Sequence, residues 1–214
     1  MTGSAVRPRQ RLAPDVRRAQ LCEAAVAVVA DGGYAAATAD AIAREAGVSK
    51  GLLWHYFEDR DALLHETAVR TLTVLQGAVG AQIDLAAPVP ALIRSAVHAA
   101  AALVQSHAAE RRALQEIILN LRAEDGSLRL GLEDLRGMHE AQAAIFRRGQ
   151  VDGDIRKGLD PMVLALTYQG AVDAMLGHLE QQPEVDPGPV ADAVADVLLS
   201  GAATPRRGPR TPRG

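Results

Sequence analysis

The stretch that decides the fold is TADAIAREAGVSKGLLWHYF, residues 38–57. Thr38 is a residue type that caps a helix start, and Ile42 lies where the first helix turns its apolar side inward. Gly47 can adopt the left-handed backbone that ends a helix, and Ser49 can cap the helix that follows. A helix, a short glycine-containing turn and a second helix together predict a helix-turn-helix motif.

The second helix of this motif is expected to have two different faces. At about 100° per residue, Leu53 and Phe57 share one side, which packs on the first helices. Trp54 and His55 fall on the other side, and their ring N–H groups are donors suited to phosphate oxygens. Lys50 stands at the N-terminal end, where recognition helices usually meet base edges. The pattern therefore predicts a surface that contacts a nucleic-acid duplex.

The longer stretch, residues 38–64, resembles the N-terminal DNA-binding domain of the TetR (tetracycline repressor) family of bacterial transcriptional regulators. The matching residues are Thr38, Ile42, Ala43, Ala46, Gly47, Val48, Ser49, Gly51, Leu53, Trp54, Tyr56, Phe57, Arg60, Asp61 and Leu63. The resemblance covers about the first quarter of the chain and its motif is highly specific. It implies that DNA phosphates or bases are contacted by Thr38, Lys50, Trp54, His55 and Arg60.

Three further residues complete the predicted DNA-binding set. Ser49 begins the second helix, and Gly51 has no side chain, which allows close approach to a backbone. Leu52 stands where the family commonly has a small or polar residue. Exposed there, Leu52 would contact a thymine methyl group; otherwise it packs against the first helix. The family also usually has Tyr at the position of Trp54 and often His at the position of Tyr56.

Composition restricts the kind of protein that carries this motif. The 214 residues give a formal net charge of −3, so any nucleic-acid contact has to come from a local surface. The one cysteine, Cys22, excludes an internal disulfide framework and is expected to be a buried, inert thiol. The N-terminal residues lack the apolar centre of a signal peptide, and no apolar run approaches the ~20 residues of a membrane helix. A cytoplasmic protein without membrane contact is expected.

Apolar residues recur at helical spacing along the chain, which predicts an all-α fold. We expect a three-helix helix-turn-helix DNA-binding domain followed by a larger helical ligand-binding and dimerisation domain. The predicted parts are a disordered arm (1–13), the DNA-binding domain (14–60), the regulatory domain (61–200) and a disordered tail (201–214). Helices are expected near residues 14–30, 61–83, 91–106, 110–122, 130–150, 161–179 and 190–199. Arg7, Arg9 and Arg11 would reach a minor groove or form a solvated leader.

Nothing in the sequence supports an enzyme. It contains no glycine-rich phosphate loop, nucleophile motif or CxxC, and His98, His107, His139 and His178 form no close pair at metal-ligand spacing. No metal or cofactor is expected. Isolated polar residues in apolar C-terminal stretches would line a ligand cavity, or would face solvent or a dimer seam. They are Gln115, Asn120, Gln142, Tyr168, Gln169 and Asp173.

The sequence therefore predicts a transcriptional regulator. One helix-turn-helix reads too few base pairs, so a homodimer on a palindromic operator is expected. The family resemblance implies that the last two long helices form the dimer interface. The aliphatic regulatory domain favours a repressor released by a small, largely apolar effector. The alternative is a ligand-independent DNA-binding protein whose C-terminal half only dimerises.

Overall fold

The computed structural model describes residues 13–123, 125–130 and 132–202, without the side chains of residues 132–133. Within these ranges the secondary structure is helical, apart from one isolated bridge between Arg122 and Leu128, so the all-α prediction is confirmed. The helices are α1 (Pro14–Gly32), α2 (Ala39–Glu45), α3 (Lys50–Tyr56), α4 (Arg60–Gly80), α5 (Val89–Ser106), α6 (Ala108–Asn120), α7 (Leu132–Asp152), α8 (Pro161–Gln181) and α9 (Pro187–Ala202). No described helix is both long and apolar enough to cross a membrane.

The turn between α2 and α3 forms as the sequence predicts. The Thr38 hydroxyl accepts a hydrogen bond from the Ala41 N–H at 3.2 Å, and the Ser49 hydroxyl accepts one from the Leu52 N–H at 3.2 Å. These side chains satisfy N–H groups that the first turn of a helix leaves unpaired. Gly47 has a φ of 66°, a left-handed conformation that a side chain would strain. Local chemistry alone therefore fixes where both helices begin.

The chain folds into two compact units. The first unit takes its described residues from 1–71 and 112–129, and so includes the start of α4 and most of α6. Within it, α1 packs on α2 and α2 packs on α3. Its buried side chains include Leu21, Ala25, Val29, Ile42, Leu53, Phe57, Leu63, Leu64, Ala68 and Ile117. The DNA-binding domain predicted at 14–60 is therefore smaller than this unit, because it excludes the α4 and α6 segments that contribute to the core.

The second unit takes its described residues from 72–111 and 130–214. Helix α5 packs against α7, α8 and α9, and α7 packs along α8. The shared core is aliphatic apart from Phe146 and Tyr168. At Gly149 a β-carbon would lie 2.6 Å from the Ile155 side chain and 3.0 Å from Val89, so only glycine fits this approach of α7 to α5.

The two predicted terminal segments fall mostly beyond the described residues. The arm predicted at 1–13 lies outside them except for Ala13, which precedes α1. The tail predicted from residue 201 is wrong at its start, because residues 201–202 complete α9. Ala202 is buried, and its carbonyl accepts a hydrogen bond from the Arg156 N–H at 2.9 Å. Residues 201–214 contain no large apolar residue that would have predicted burial here, and Ala202 is small. Residues 203–214 lie outside the described residues.

Candidate nucleic-acid interface

Helix α3 separates its residues into the two predicted faces. Leu53 and Phe57 are buried, with 0% and 3% of their surface exposed. Lys50 and His55 are exposed, and so is Trp54 at 38%. We call the surface of Lys50, Trp54 and His55 the recognition face. The face carries a cation, an indole N–H and an imidazole, all capable of donating to phosphate or base acceptors.

The neighbouring predicted residues surround this face without being buried. Thr38, Ser49 and Gly51 are exposed, and open space surrounds the position where a Gly51 side chain would begin. Thr38 and Ser49 use their oxygens to cap helices, but each hydroxyl keeps its own O–H for donation. Leu52 is half-buried, which is compatible with either role considered for it.

Lys50 has an ion-pair partner that the sequence pattern did not predict. Its Nζ lies 2.8 Å from Oδ2 of Asp40, which stands in the first turn of α2. Half of the Lys50 side chain and 72% of the Asp40 side chain remain exposed. Exposed pairs of this kind contribute ~1 kcal/mol or less, because solvent and salt screen them. The Lys50 charge is therefore balanced by a contact that is weak enough to be exchanged.

Arg60 is bound to the backbone of its own unit. Its guanidinium donates to the Ala37 carbonyl at 2.8 Å and to the Tyr34 carbonyl at 2.6 Å. The guanidinium also lies 4.3 Å from the centre of the Tyr34 ring. Arg60 therefore fixes the segment that precedes α2, while its side chain stays 31% exposed. The sequence pattern predicted only DNA contacts for Arg60 and did not predict its contact with Tyr34.

A cluster around Arg18 of α1 fixes the C-terminal end of α3. Arg18 donates to the Tyr56 carbonyl at 2.6 Å, forms a close bidentate pair with the Glu66 carboxylate, and covers the Phe57 ring at 4.5 Å. Arg70 donates to Glu66 at 2.8 Å from one turn further along α4. The hydrogen bonds from Arg18, with those from Arg70, lower the pKa of Glu66. The sequence offers no signal for this pairing, because 48 residues separate Arg18 from Glu66.

Burial also affects the single thiol of the first unit. Cys22 is 3% exposed, as predicted. Its removal from solvent raises its pKa to about 11, although the nearby Thr67 hydroxyl opposes part of that rise. Since the thiolate is the reactive form, a thiol with this pKa stays protonated and inert at neutral pH.

Four of the six polar residues predicted for a ligand site lie together in the second unit. Gln142 of α7 donates through Nε2 to Gln169 Oε1 of α8 at 2.8 Å, and Gln169 donates through Nε2 to Asp173 Oδ1 at 2.8 Å. Tyr168 is half-buried beside the Phe146 ring, with ring centres 6.4 Å apart. We call Gln142, Tyr168, Gln169 and Asp173 the α7–α8 polar cluster.

The other two predicted residues do not join this cluster. Gln115 and Asn120 are exposed on α6 and belong to the first unit. Asn120 donates to the Glu116 carbonyl at 2.8 Å, near the end of its helix. These two residues therefore have no described contact with the four residues on α7 and α8, and their role in a ligand site stays a prediction.

One acceptor of the α7–α8 polar cluster is left over. Ionised Asp173 only accepts, so Gln169 must present its amide nitrogen to Asp173 and its oxygen to Gln142. Gln142 must then donate, which turns its own Oε1 away; that oxygen is buried and has no partner among the described residues. Desolvation raises the pKa of Asp173, opposed by the hydrogen bond from Gln169 and the charge of Arg111. Burial, with the charge of Asp173, raises the pKa of Tyr168 to about 12.

Within the described residues, no group of three or more His, Cys, Asp or Glu side chains is placed to hold a metal ion. The polar side chains of interest are instead the exposed recognition face and the α7–α8 polar cluster. The recognition face lies on α3, which follows α2 after a short turn, and a hydroxyl side chain caps each helix. This geometry defines a helix-turn-helix protein.

Residues 21–67 match the family of bacterial regulatory proteins known as the tetR family. The matched segment contains α2, α3 and their turn, and most of α1. The N-terminal segment of this chain therefore matches the tetR family, as the motif predicted.

Curated relatives are similar to this chain over the same N-terminal segment. The HTH-type transcriptional regulator BetI 2 of Chromohalobacter salexigens is 46% identical over 67 residues, which cover 31% of this chain and 32% of that protein. The BetI regulator of Cronobacter sakazakii is 41% identical over 68 residues, 32% of this chain and 34% of that protein. The chain thus matches only about a third of the length of these relatives.

Solved structures resemble the chain over most of its length. The fatty acid degradation regulator FadR of Bacillus halodurans has a TM-score of 0.74 at 22% identity, covering 90% of this chain and 98% of that one. FadR of Bacillus subtilis, solved in complex with stearoyl-CoA, has a TM-score of 0.72 at 23% identity, covering 86% of this chain and 98% of that one. At these identities the likeness shows a common fold, including the larger helical C-terminal domain.

Proposed function

We propose that this chain is a DNA-binding transcriptional regulator that represses by occupying a palindromic operator and is released by a small effector. The observation that carries this proposal is the exposed recognition face on a capped helix-turn-helix of the tetR family. Action on chromosomal DNA would place the protein in the cytoplasm.

The recognition face and its surroundings supply the DNA contacts in this proposal. Lys50 meets a base edge or phosphate, because it stands at the N-terminal end of α3. Phosphates and sugars accept from the remaining donors, and Gly51 allows the helix to approach closely. Leu52 touches a thymine methyl group or supports the helix. The proposed contacts are Thr38, Ser49, Lys50, Gly51, Leu52, Trp54, His55 and Arg60.

A homodimer through α8 and α9 is part of the proposal. Val163 and Leu166 on α8 are 58% and 47% exposed, and Val197 on α9 is 74% exposed. Exposed apolar side chains on adjacent packed helices favour a protein partner, since leaving them in water is unfavourable. A two-fold dimer presents two recognition helices ~34 Å apart, one turn of DNA.

The proposed effector is largely apolar with at least one hydrogen-bond donor. The core of the second unit is aliphatic, which suits an apolar body. The unpartnered Gln142 Oε1 in the α7–α8 polar cluster can accept from a hydroxyl or N–H group of the effector. The stearoyl-CoA in Bacillus subtilis FadR combines a long apolar chain with a polar group, which is consistent with this chemistry on the same fold.

Effector and operator would be coupled through α4, which contributes residues to both units. A shift of α4 on effector binding would change the spacing of the two recognition helices in a dimer. A coupling free energy of about 1–3 kcal/mol would change operator affinity ~5- to 150-fold.

The test is selection of bound duplexes from the fragmented genome of the source organism, followed by fluorescence anisotropy titration at low salt. The wild-type chain should enrich a palindromic site, and Lys50→Ala should weaken its binding by about 1–3 kcal/mol if Lys50 contacts a base. Arg60→Ala should reduce the salt slope by ~0.9 for its one phosphate contact. Absence of any enriched site would rule out the proposed regulator.

The second candidate function is a ligand-independent DNA-binding protein whose second unit only dimerises. The exposed apolar residues of α8 and α9 suit either candidate. A thermal shift screen separates them, because a ligand that binds only the folded state must raise the melting temperature. A ligand that raises the melting temperature and also releases the operator would favour the effector-controlled repressor.

A further inference from the structure

The contact between Lys50 and Asp40 affects how this protein would distinguish its operator from DNA of other sequences. Lys50 is the only Lys or Arg in α3, so the formal positive charge of that helix is concentrated on one Nζ. Asp40 Oδ2 lies 2.8 Å from this Nζ and comes from the first turn of α2, not from α3 itself. The helix that carries the recognition face therefore has its cation already paired in the free protein.

The pair lies on the surface, where DNA would have to compete for it. Both side chains are at least half exposed, so the contact is screened and exchangeable. If Lys50 leaves Asp40 for a phosphate, the carboxylate remains beside the polyanion and repels it. A guanine offers two acceptors, O6 and N7, in the major groove, and the three donors of an ammonium group would allow Lys50 to reach them while it keeps its bond to Asp40.

We propose that Asp40 is a specificity-determining residue, which holds Lys50 back from phosphates of random sequence and positions it for a base edge of the operator. The proposal rests on the DNA-binding function proposed above. Asp40 lowers sequence-independent affinity more than operator affinity, and so widens the ratio between the two. Its partner in this role is Lys50, and the role disappears when Lys50 is replaced.

The experiment compares the full-length wild type with Asp40→Asn, Lys50→Gln and the double variant. Affinity for a short duplex of scrambled sequence is measured by anisotropy over a range of KCl concentrations. Asp40→Asn should raise this affinity about two- to fivefold, the range expected for an exposed pair, and should steepen the salt slope by ~0.9 as Lys50 gains a phosphate. In the Lys50→Gln background the same substitution should leave the salt slope nearly unchanged, because no cation is freed to reach a phosphate.

Glu45→Gln is the matched control, because Glu45 is an exposed acid at the other end of α2 and its loss changes the net charge equally. Equal effects of Asp40→Asn and Glu45→Gln would overturn the proposal, since net charge alone would explain them. An equal effect of Asp40→Asn with and without Lys50 would overturn it as well.

The operator found by selection gives the second readout. Asp40→Asn should change operator affinity less than twofold, so the specificity ratio falls by about the two- to fivefold gain on scrambled DNA. A wild-type chain that binds no duplex at low salt would refute the proposed function itself. A wild-type chain that binds while Asp40→Asn leaves the ratio unchanged would refute only the role of Asp40.

Discussion

The two units differ in how they satisfy particular partly buried polar groups. In the first unit, the guanidinium groups of Arg18 and Arg60 find carbonyls, a carboxylate and aromatic rings within the fold. In the second unit, the α7–α8 polar cluster leaves the buried Oε1 of Gln142 without a partner among the described residues. The comparison indicates that Arg18 and Arg60 hold the segments around α3 and before α2 in the first unit, whereas the second unit retains an unused capacity to accept a hydrogen bond.

The carboxylates follow the same division. Hydrogen bonds from Arg18 and Arg70 lower the pKa of Glu66, so the fold stabilises its charge. Desolvation raises the pKa of Asp173, but its side chain is exposed in the single chain, so the penalty on its charge is small. Polar groups that a fold penalises are candidates for function, because packing and stability do not explain their presence.

The largest effect is expected at Arg18. Arg18→Ala should lower the free energy of unfolding of the first unit by about 2 kcal/mol, because Glu66 and the Tyr56 carbonyl lose a charged donor. The fluorescence of Trp54 during urea denaturation reports on this unit. Arg17→Ala is the control, because the described side-chain hydrogen bond of Arg17 joins it to Gln20 within the same helix. Similar losses in both variants would break the comparison.

A smaller effect is expected at Gln142. Gln142→Leu should change the stability of the second unit by less than about 1 kcal/mol, because it removes an unpartnered buried acceptor but also the donor to Gln169 Oε1. Gln169→Leu is the matched control and should destabilise, since it deprives both Gln142 and Asp173 of a partner. Amide hydrogen exchange in α7 and α8 measures both variants. A loss of stability in Gln142→Leu as large as in Gln169→Leu would contradict this view.

The smallest effect is a difference in pH dependence between the two carboxylates. The pKa of Glu66 is lowered, so its contribution is present above the unfolded pKa and is lost as pH falls through the folded pKa. Glu66→Gln should therefore destabilise at neutral pH and have less effect in acid. The pKa of Asp173 is raised, so its ionised form lowers the free energy of unfolding. This loss of stability is complete at a pH above the folded pKa and disappears at a pH below the unfolded pKa of ~3.9.

Asp173→Asn should therefore stabilise the second unit at neutral pH, and this gain should shrink on acidification. The substitution keeps an oxygen that can accept from Gln169, so charge is the main change. Hydrogen exchange at neutral pH and at about pH 4 compares the two variants. The distinction between the units would not hold if both substitutions shifted stability in the same direction at neutral pH.

The sequence predicted the helix-turn-helix well, because its signals are local. Thr38, Gly47 and Ser49 act within their own helix turns, and the 3.6-residue period alone separates Leu53 from Trp54. Gln169 and Asp173 were also found together for a local reason, since they are one turn apart on α8.

The remaining features depend on tertiary packing and could not be predicted from local pattern. The Arg18–Glu66 pair requires knowing that α1 lies against α4, and the Asp40–Lys50 pair requires the angle of the turn. Gln115 is exposed on α6, away from the α7–α8 polar cluster, and its role as a ligand-site residue stays a prediction. Polarity within an apolar stretch does not say which side of a helix a residue occupies.

The burial of Cys22 provides a chemical probe of the first unit that needs no engineering. It is the single sulfhydryl of the chain, and a reagent such as a maleimide can reach it only when α1 separates from its neighbours. The rate of modification therefore measures how often this unit opens, and a bound duplex that holds the unit closed should slow that rate in proportion to its occupancy.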